Sequence, residues 1–268
     1  TLGAGDQGVM VGYACNETPE YLPMPVVAAQ RLVTLLEISR MTGIIPDIGP
    51  DGKVQVTMEY DDDIPVRITT VVISVQHQPD TDLDDLFEKL KKNIFPLAFK
   101  GMPDDDVEIM LNPSGKFVQG GPDADTGLTG RKLMVDSYGT FAPHGGGAFS
   151  GKDATKVDRS GAYMARYIAK NMVAAHLADR CQVTLAYAIG EKDPVMVDVN
   201  TFGTGICEDD CLSAAVRKAY DLTPAGIIKQ LNLLNPIYSR TAAGGHFGRE
   251  DFPWENIEHM SDLAAYIV

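Results

Sequence analysis

The chain has 268 residues, 44% hydrophobic and 22% charged, so it is long enough to bury two medium cores, which predicts two domains. Its formal net charge of -14 repels nucleic-acid phosphates and anionic membranes, so an anionic ligand would need a local basic cluster. No apolar run approaches the roughly 18 residues of a membrane span and no signal-like segment opens the chain, which predicts a soluble, cytoplasmic protein.

The first half of the chain predicts a helix, a hairpin and a second helix. Apolar residues spaced three and four apart indicate a helix over 25–41. Alternating residues over 54–60 and a β-rich run over 66–75 indicate two strands, joined by an acidic turn of three aspartates. Helical spacing returns over 83–95, and Val107, Ile109 and Leu111 indicate another strand.

The second half repeats this order. A helix with Ala165, Ile168, Met172 and Ala175 on one stripe precedes strands over 181–189 and 195–199 and a helix over about 212–220. The order helix, strand, strand, helix therefore occurs twice, a weak repeat because residue identity between the copies is low. Since most strands are joined by short turns, we predict α+β domains with antiparallel or mixed sheets. Glycine- and proline-containing turns near residue 120 predict domains over 1-120 and 121-268.

Cysteine and histidine spacing gives little sign of a transition-metal site. Four cysteines are too few and too irregularly placed for a disulfide framework, and the pair Cys207 and Cys211 lacks a second ligand pair for zinc. The chain begins at Thr1 and enters a glycine-rich turn, Gly3 to Gly8, almost at once. Because domains seldom start in this way, we expect further residues upstream.

Positive charge is concentrated in residues 131–166, where six basic residues outnumber three acidic ones. Within this segment lies Gly145-Gly146-Gly147-Ala148-Phe149-Ser150-Gly151-Lys152-Asp153, followed by a predicted helix. Glycines let backbone amides approach an anion, a helix start adds partial positive charge, and a lysine adds a full charge. This pattern predicts a phosphate-binding loop, and the alternative is a solvent-exposed glycine-rich loop. The basic residues are Arg131, Lys132, Lys152, Lys156, Arg159 and Arg166.

A P-loop is a second alternative, because Gly146 to Lys152 satisfies G-x-x-x-x-G-K. However, Asp153 stands where a P-loop needs a hydroxyl for magnesium, and the β-like run Lys132 to Tyr138 ends well before the loop. The sequence also lacks G-x-S-x-G and a reactive cysteine beside a histidine. We therefore expect catalysis by positioning and charge, without a covalent intermediate.

Four aspartates lie beside basic or glycine-rich segments: Asp6, Asp51, Asp125 and Asp158. Aspartate commonly holds ribose hydroxyls, an amino group or magnesium, although each aspartate alone is more often a turn former or helix cap.

The glycine-rich segments at 3–8 and 145–153 resemble the two signature segments of the S-adenosylmethionine synthetase family. The resemblance implies that the sulfur of methionine attacks the 5′ carbon of ATP and expels triphosphate, which is then hydrolysed to pyrophosphate and phosphate. Since a thioether is already nucleophilic, the protein must mainly stabilise the leaving charge. Supporting likeness lies at GLTGRK (127–132), KVDRS (156–160), AYAIG (186–190), HFGRE (246–250) and FPW (252–254).

The resemblance also implies roles for individual residues. The implied catalytic residues are Lys152, Lys132, Arg131 and Lys53. The methionine contacts would be Asp6, Asp125 and Lys156, and Asp158 would bind magnesium. The implied ATP contacts are Asp51, Gly52, Lys53, Lys116, Phe117, Asp125, Arg131, Lys132, Ala148 and Lys152, with the Phe117 ring against adenine.

Further implications concern assembly and cofactors. The family is built from three similar α+β domains, of which the central and C-terminal ones would be present here. The first domain would supply a histidine contact to ATP, further methionine contacts, a second magnesium ligand, the potassium ligand and a mobile loop. The active site would form between two subunits of a homodimer, possibly doubled to a tetramer. The alternative is a non-catalytic nucleotide-binding fragment or scaffold.

Overall fold

The structure, a computed structural model, describes residues 2–128, 130–258 and 263–267. Thr1 and Thr129, the latter part of the GLTGRK motif, lie outside the described residues. In chain order the elements are β1 (Gly8–Cys15), α1 (Met24–Thr42), β2 (Ile48–Asp61), β3 (Ile64–His77), α2 (Leu83–Asn93), α3 (Phe95–Ala98), β4 (Glu108–Leu111), α4 (Leu133–Asp136), α5 (Val157–Ala174), β5 (Arg180–Tyr187), β6 (Met196–Asn200), α6 (Asp209–Ala219) and α7 (Pro224–Gln230).

Internal contacts divide the chain into two compact units. The hairpin unit is Met24–Leu128, and the loop unit joins Thr1–Pro23 to Thr129–Val268. The first residues of the chain belong to the loop unit because β1 pairs along its whole length with β5, from Gly8 opposite Tyr187 to Cys15 opposite Arg180. The domain boundary near residue 120 stays a prediction.

The hairpin unit contains the predicted helices and hairpin. Its sheet has the order β2-β3-β4, in which β2 and β3 are antiparallel and β4 is parallel to β3. The turn between β2 and β3 holds Asp62 and Asp63 at positive φ, as the acidic turn predicts. The predicted helix over 83–95 is α2, which begins where the Asp82 carboxylate accepts from two backbone amides and ends at Asn93.

The loop unit contains an antiparallel sheet of order β1-β5-β6, with α5 packed against it. A Cβ at Gly12 would lie 2.0 Å from the Ala165 carbonyl carbon, so glycine allows the close approach of strand and helix. Every residue of α5 except Asp158 is buried. The single apolar stripe predicted for this helix is therefore too narrow, because neighbours cover it on all sides. Both units are α+β with antiparallel or mixed sheets, which confirms the predicted fold class.

Two local features differ from the sequence reading. The prediction of a β-like run from Lys132 to Tyr138 is wrong, because Leu133–Asp136 forms a single helical turn. A hydrogen bond of 3.1 Å from the Ser137 amide to the Leu133 carbonyl closes this turn. A short apolar run does not distinguish a strand from a helix by periodicity alone. Strand β1 was not predicted, since burial of its last six residues leaves no polar alternation to detect.

The described helices include none that is both long and apolar enough to cross a membrane. Cys15 and Cys181 are buried free thiols, and Cys207 and Cys211 are also free. Among residues 2–128, 130–258 and 263–267, the side chains of His, Cys, Asp and Glu form no group of three or more that could hold a metal ion.

Candidate phosphate-binding site

The glycine-rich loop at 145–153 lies against the start of β1 and the first turn of α5. A Cβ at Gly145 would lie 1.6 Å from the Val9 carbonyl oxygen, and a Cβ at Gly147 would lie 2.3 Å from Asp158 Oδ1. Gly146 has a φ of +91°, which favours glycine. The loop therefore needs glycine both to reach the strand and to make its turn. Residues 130–144 contain no strand, so the P-loop alternative lacks its structural context.

Two glycine-rich segments distant in sequence meet at this loop. A Cβ at Gly8, at the end of the opening turn, would lie 3.2 Å from Asp158 Oδ1. A Cβ at Gly5 would lie 3.7 Å from Cδ of Lys156 and 4.0 Å from its Nζ. The opening turn, which carries Asp6, therefore lies beside Lys156 and Asp158.

The charged groups of the loop are paired at close range. Lys152 Nζ lies 2.5 Å from Asp158 Oδ2, and the two side chains are 32% and 14% exposed. Lys156 Nζ lies 3.2 Å from Thr155 Oγ1 and 3.7 Å from Asp153 Oδ2. Both lysine side chains stay partly exposed, 32% for Lys152 and 45% for Lys156, so they remain accessible to an anion.

A buried hydrogen-bond chain supports the loop from below. Arg159, only 3% exposed, donates from Nη1 to the Lys152 carbonyl over 2.8 Å and from Nε to the Tyr163 hydroxyl over 3.0 Å. The Tyr163 hydroxyl lies 2.7 Å from His246 Nδ1, and His246 Nε2 lies 3.3 Å from Ser150 Oγ. Arg159 Nε donates to the tyrosine oxygen, and the remaining distances fit a chain in which the tyrosine hydroxyl donates to His246 Nδ1 and His246 Nε2 donates to Ser150 Oγ.

Burial sets the protonation of His246 and Tyr163 in this hydrogen-bond chain. Burial lowers the pKa of His246 to about 3, with the charges of Arg159 and Arg249 adding to the effect. Burial also raises the pKa of Tyr163 to about 12. Both groups are therefore neutral near pH 7, as the proposed direction of the hydrogen bonds requires.

Aromatic packing anchors the loop as well. The buried Phe149 ring lies edge-on to His246 at 5.0 Å and to Phe247 at 5.8 Å between ring centres. Tyr163 stacks on Trp254 at 3.7 Å, which extends the cluster toward the FPW motif. Phe149 thus fixes the centre of the glycine-rich loop in the core.

A fully buried ion pair holds the middle of α5. Arg166 donates to both carboxylate oxygens of Glu255, at 3.0 and 2.8 Å, and to the carbonyls of Tyr13, Glu20 and Tyr21. Burial by itself would raise the pKa of Glu255, but the charge of Arg166 lowers it below its ordinary value. The pair joins the end of β1 to the segment that carries the FPW motif.

Several expected ATP contacts lie in the hairpin unit, near the ends of β2 and β3. Asp51 Oδ2 accepts from the Gly121 amide at 2.8 Å, and the Phe117 amide donates to His77 Nε2 at 3.0 Å. Lys116 Nζ donates to the Pro79 carbonyl at 2.9 Å. The structure therefore brings the 51–53 and 116–121 segments together within this unit. Gly52, Lys53 and Asp125 are exposed.

Arg131, Lys132 and Ala148 belong to the loop unit. A Cβ at Gly130 would lie 2.6 Å from the Ala148 Cβ, so the basic pair directly follows a residue that touches the glycine-rich loop. Arg131 and Lys132 are both exposed. Their role as triphosphate contacts stays a prediction.

Sequence reasoning missed the residues beneath the loop. His246 and Ser150 are 96 positions apart and His246 and Tyr163 are 83 apart, so no local spacing connects them. Arg159 belongs to the predicted basic cluster, but it is buried and holds the loop backbone. His144, directly before the loop, was also passed over because it lacks a histidine partner at ligand spacing.

Comparison with known proteins agrees with this geometry. Residues 1–117 match the S-adenosylmethionine synthetase central domain, and residues 119–256 match the C-terminal domain of the same enzymes. Two similar proteins are the S-adenosylmethionine synthases of Lacticaseibacillus casei (strain BL23) and Lacticaseibacillus paracasei (strain ATCC 334). Each is 54% identical over 272 residues, covering 99% of this chain and 68% of the relative. With both domains matched and both signature segments close to Asp158, the chain belongs to the S-adenosylmethionine synthetase family.

Proposed function

We propose that the protein forms S-adenosylmethionine from ATP and L-methionine. The sulfur attacks the 5′ carbon of ATP, triphosphate leaves, and the triphosphate is hydrolysed to pyrophosphate and phosphate. The observation that carries the proposal is the meeting of the two glycine-rich segments around Lys152, Lys156 and Asp158. The family match supports the same function.

Stabilisation of the leaving triphosphate is the main task of this site. The sulfur of methionine needs no deprotonation, whereas the leaving group gathers several negative charges. Lys152 is held on a loop whose backbone is fixed by Arg159 and Phe149, so its ammonium group needs little reorganisation. Arg131 and Lys132 would add further positive charge, and Lys53 would do so from the hairpin unit.

The Asp158 carboxylate is a suitable ligand for a magnesium ion. Magnesium usually keeps several waters and binds through one or two carboxylates and the phosphates of the substrate, so a single carboxylate beside a phosphate loop is a suitable donor. When bound, the ion would neutralise part of the charge on the triphosphate. The ammonium group of Lys152 holds the Asp158 carboxylate at the loop and offsets part of its negative charge. The potassium requirement stays a prediction from family resemblance.

The remaining contacts are proposed residue by residue. ATP would contact Asp51, Gly52, Lys116 and Phe117 in the hairpin unit, and Ala148 in the loop. Methionine would contact Asp6 and Lys156, and Asp125 would serve both substrates. The support for Asp6 and Lys156 is the short separation of the opening turn from the start of α5.

The proposal extends to assembly and location. We propose a homodimer with active sites at the subunit interface, possibly paired into a tetramer, that acts in the cytoplasm without a nucleic-acid or membrane partner. The support is the family match and the net charge of -14, which disfavours binding to anionic polymers and membranes.

One assay tests the function. The purified protein is mixed with ATP, methionine, magnesium and potassium, S-adenosylmethionine is measured by mass spectrometry, and phosphorus NMR follows the triphosphate. We expect S-adenosylmethionine, pyrophosphate and phosphate to form together, and omission of methionine to abolish the first product. Tight ATP binding without any S-adenosylmethionine would instead support a nucleotide-binding scaffold.

A further inference from the structure

His144 directly precedes the glycine-rich loop and has its two ring nitrogens in different environments. Its Nδ1 accepts a hydrogen bond from the Gly146 amide at 2.8 Å, and its ring lies 5.3 Å from that of Phe149. A ring nitrogen that accepts from an amide carries no proton, so neutral His144 carries its proton on Nε2. Burial lowers the pKa of His144 from its ordinary value, although the charge of Asp158 opposes this shift. The local contacts therefore fix an Nε2–H donor.

This donor is buried and unused by the protein. In the part of the chain that the structure describes, His144 Nε2 is a buried side-chain atom with no hydrogen-bond partner. An unpaired buried donor costs free energy, and natural proteins keep few of them without a reason such as catalysis or a bound molecule. The Gly146 contact keeps the ring in this orientation, because a ring flip would put Cδ2 in the place of Nδ1 and leave the amide unpaired.

The surroundings of His144 point to an anionic oxygen as the missing acceptor. His144 lines a narrow cleft with residues 9–11 of β1, Gly145, Gly147 and Asp158. Gly145 and Gly147 let the loop backbone come close to Val9 and Asp158, and Asp158 has its charge offset by Lys152 at 2.5 Å. The cleft thus combines a fixed donor with the phosphate-binding loop, and a phosphate oxygen is the acceptor that such a combination suits.

We propose that the Nε2–H of His144 donates a hydrogen bond to an oxygen of the bound polyphosphate, which makes His144 a polyphosphate-binding residue of this site. The inference rests on the proposed function, since it assigns His144 a contact with the triphosphate portion of ATP and with the triphosphate product. It adds a neutral donor to the lysines, one that gives direction to the hydrogen bond without adding net charge.

Two substitutions separate the donor from the structural role of the ring. In His144→Asn the side-chain oxygen takes the place of Nδ1 and accepts from the amide two residues on, a common turn interaction, while nothing replaces Nε2. In His144→Gln the longer amide places an N–H donor near the position of Nε2. The first variant therefore keeps the loop contact and loses the donor, and the second keeps a donor.

The measurement is calorimetric binding of inorganic tripolyphosphate to the full protein and both variants, with thermal unfolding as the folding control. We expect His144→Asn to bind tripolyphosphate on the order of ten- to a hundredfold more weakly, the loss typical of a hydrogen bond to a charged group. We expect His144→Gln to stay within about threefold of the parent. The unfolding midpoint of His144→Asn should remain near that of the parent.

Two results would overturn the inference. One is parent-like tripolyphosphate affinity in a folded His144→Asn, and the other is equal loss in both folded variants, which would assign the effect to ring packing on Phe149. If His144→Asn does not fold, proton NMR of the parent decides: the Nε2 proton should move downfield on addition of tripolyphosphate, and an unmoved resonance contradicts the proposal. Failure of the proposed function looks different, because the parent itself would then form no S-adenosylmethionine.

Discussion

The two units share the order helix, strand, strand, helix but differ in how their elements are covered. In the loop unit, α5 is buried at every residue except Asp158, whereas in the hairpin unit only seven residues of the 19-residue α1 are buried. Six of eight residues are buried in β1, but only Ile48 is buried in β2. The same element order therefore occurs with different degrees of burial. The unit with the more deeply buried helix carries the predicted phosphate-binding loop.

The predicted phosphate-binding loop needs a rigid support. The loop must hold Lys152 and its amides in place before the reaction, and a helix packed on all sides provides that support. The charged pairs show the same contrast. Arg166 and Glu255 are completely buried, whereas Arg67 and Glu59 in the hairpin unit pair at 2.8 Å with about half of each side chain exposed.

Breaking the buried ion pair of Arg166 and Glu255 should destabilise the protein most. Arg166→Met leaves the buried Glu255 carboxylate with Lys170 as its remaining cation, 2.9 Å away, and removes the donor to three backbone carbonyls. It should lower the free energy of unfolding by about 3 to 5 kcal/mol, because a buried charge loses its bidentate partner. Arg67→Met, the matched change in the exposed pair, should cost less than about 1 kcal/mol. Urea unfolding followed by circular dichroism measures both. Equal losses would contradict the contrast between the units.

Lys152→Ala tests the functional side of the comparison. It should reduce kcat on the order of a hundred- to a thousandfold, the usual cost of losing one preorganised donor, with much less change in the KM for methionine. Lys92→Ala, on the exposed face of α2, is the control and should leave turnover unchanged. Steady-state kinetics with ATP and methionine gives both constants. An equal loss in kcat and in methionine affinity would show that Lys152 is misassigned.

Substitution of a strand glycine in each unit tests the difference in packing. Gly12→Ala should destabilise the protein by about 1 to 3 kcal/mol, because its Cβ would meet the backbone of α5 at 2.0 Å. Gly52→Ala in β2 places its Cβ 3.6 Å from the nearest atom, the Ser74 carbonyl oxygen, and should change stability by less than about 1 kcal/mol. Thermal unfolding of the two variants is the measurement. A Gly12→Ala protein as stable as the parent would mean that α5 shifts freely.

Acidification should weaken the loop unit through His246. Its pKa is about 3 in the folded protein, so between about pH 3 and pH 6.5 the unfolded chain binds the extra proton and stability falls as pH falls. The contribution of this group reaches about 1.4 kcal/mol per pH unit at most. His246→Asn keeps an acceptor for the Tyr163 hydroxyl but does not titrate. Unfolding measured from pH 7 to pH 5 should therefore show a smaller pH slope in this variant, and an unchanged slope would assign the effect to other groups.

Sequence patterns were sufficient to predict elements whose signals lie within a few neighbouring residues. The hairpin over β2 and β3 and the helix α2 follow from alternation, turn chemistry and capping, all of which act over a few residues. The sequence of α4 gave a wrong strand prediction because a turn of helix and a short strand can have the same apolar composition. Strand β1 was overlooked because a strand covered on both faces has no alternation.

The repeated element order, the prediction of an anion-binding loop and the likeness to a family followed from the amino-acid sequence, because each depends on neighbouring residues. The folded structure was needed to show that Arg159 supports Lys152 from inside the core and that His246 reaches Ser150 across 96 positions. It also decided that the Nε2–H of His144 has no acceptor in the described protein. Burial and long-range contacts arise when distant segments pack together, and they set the charge and hydrogen bonding of a side chain independently of its neighbours in sequence.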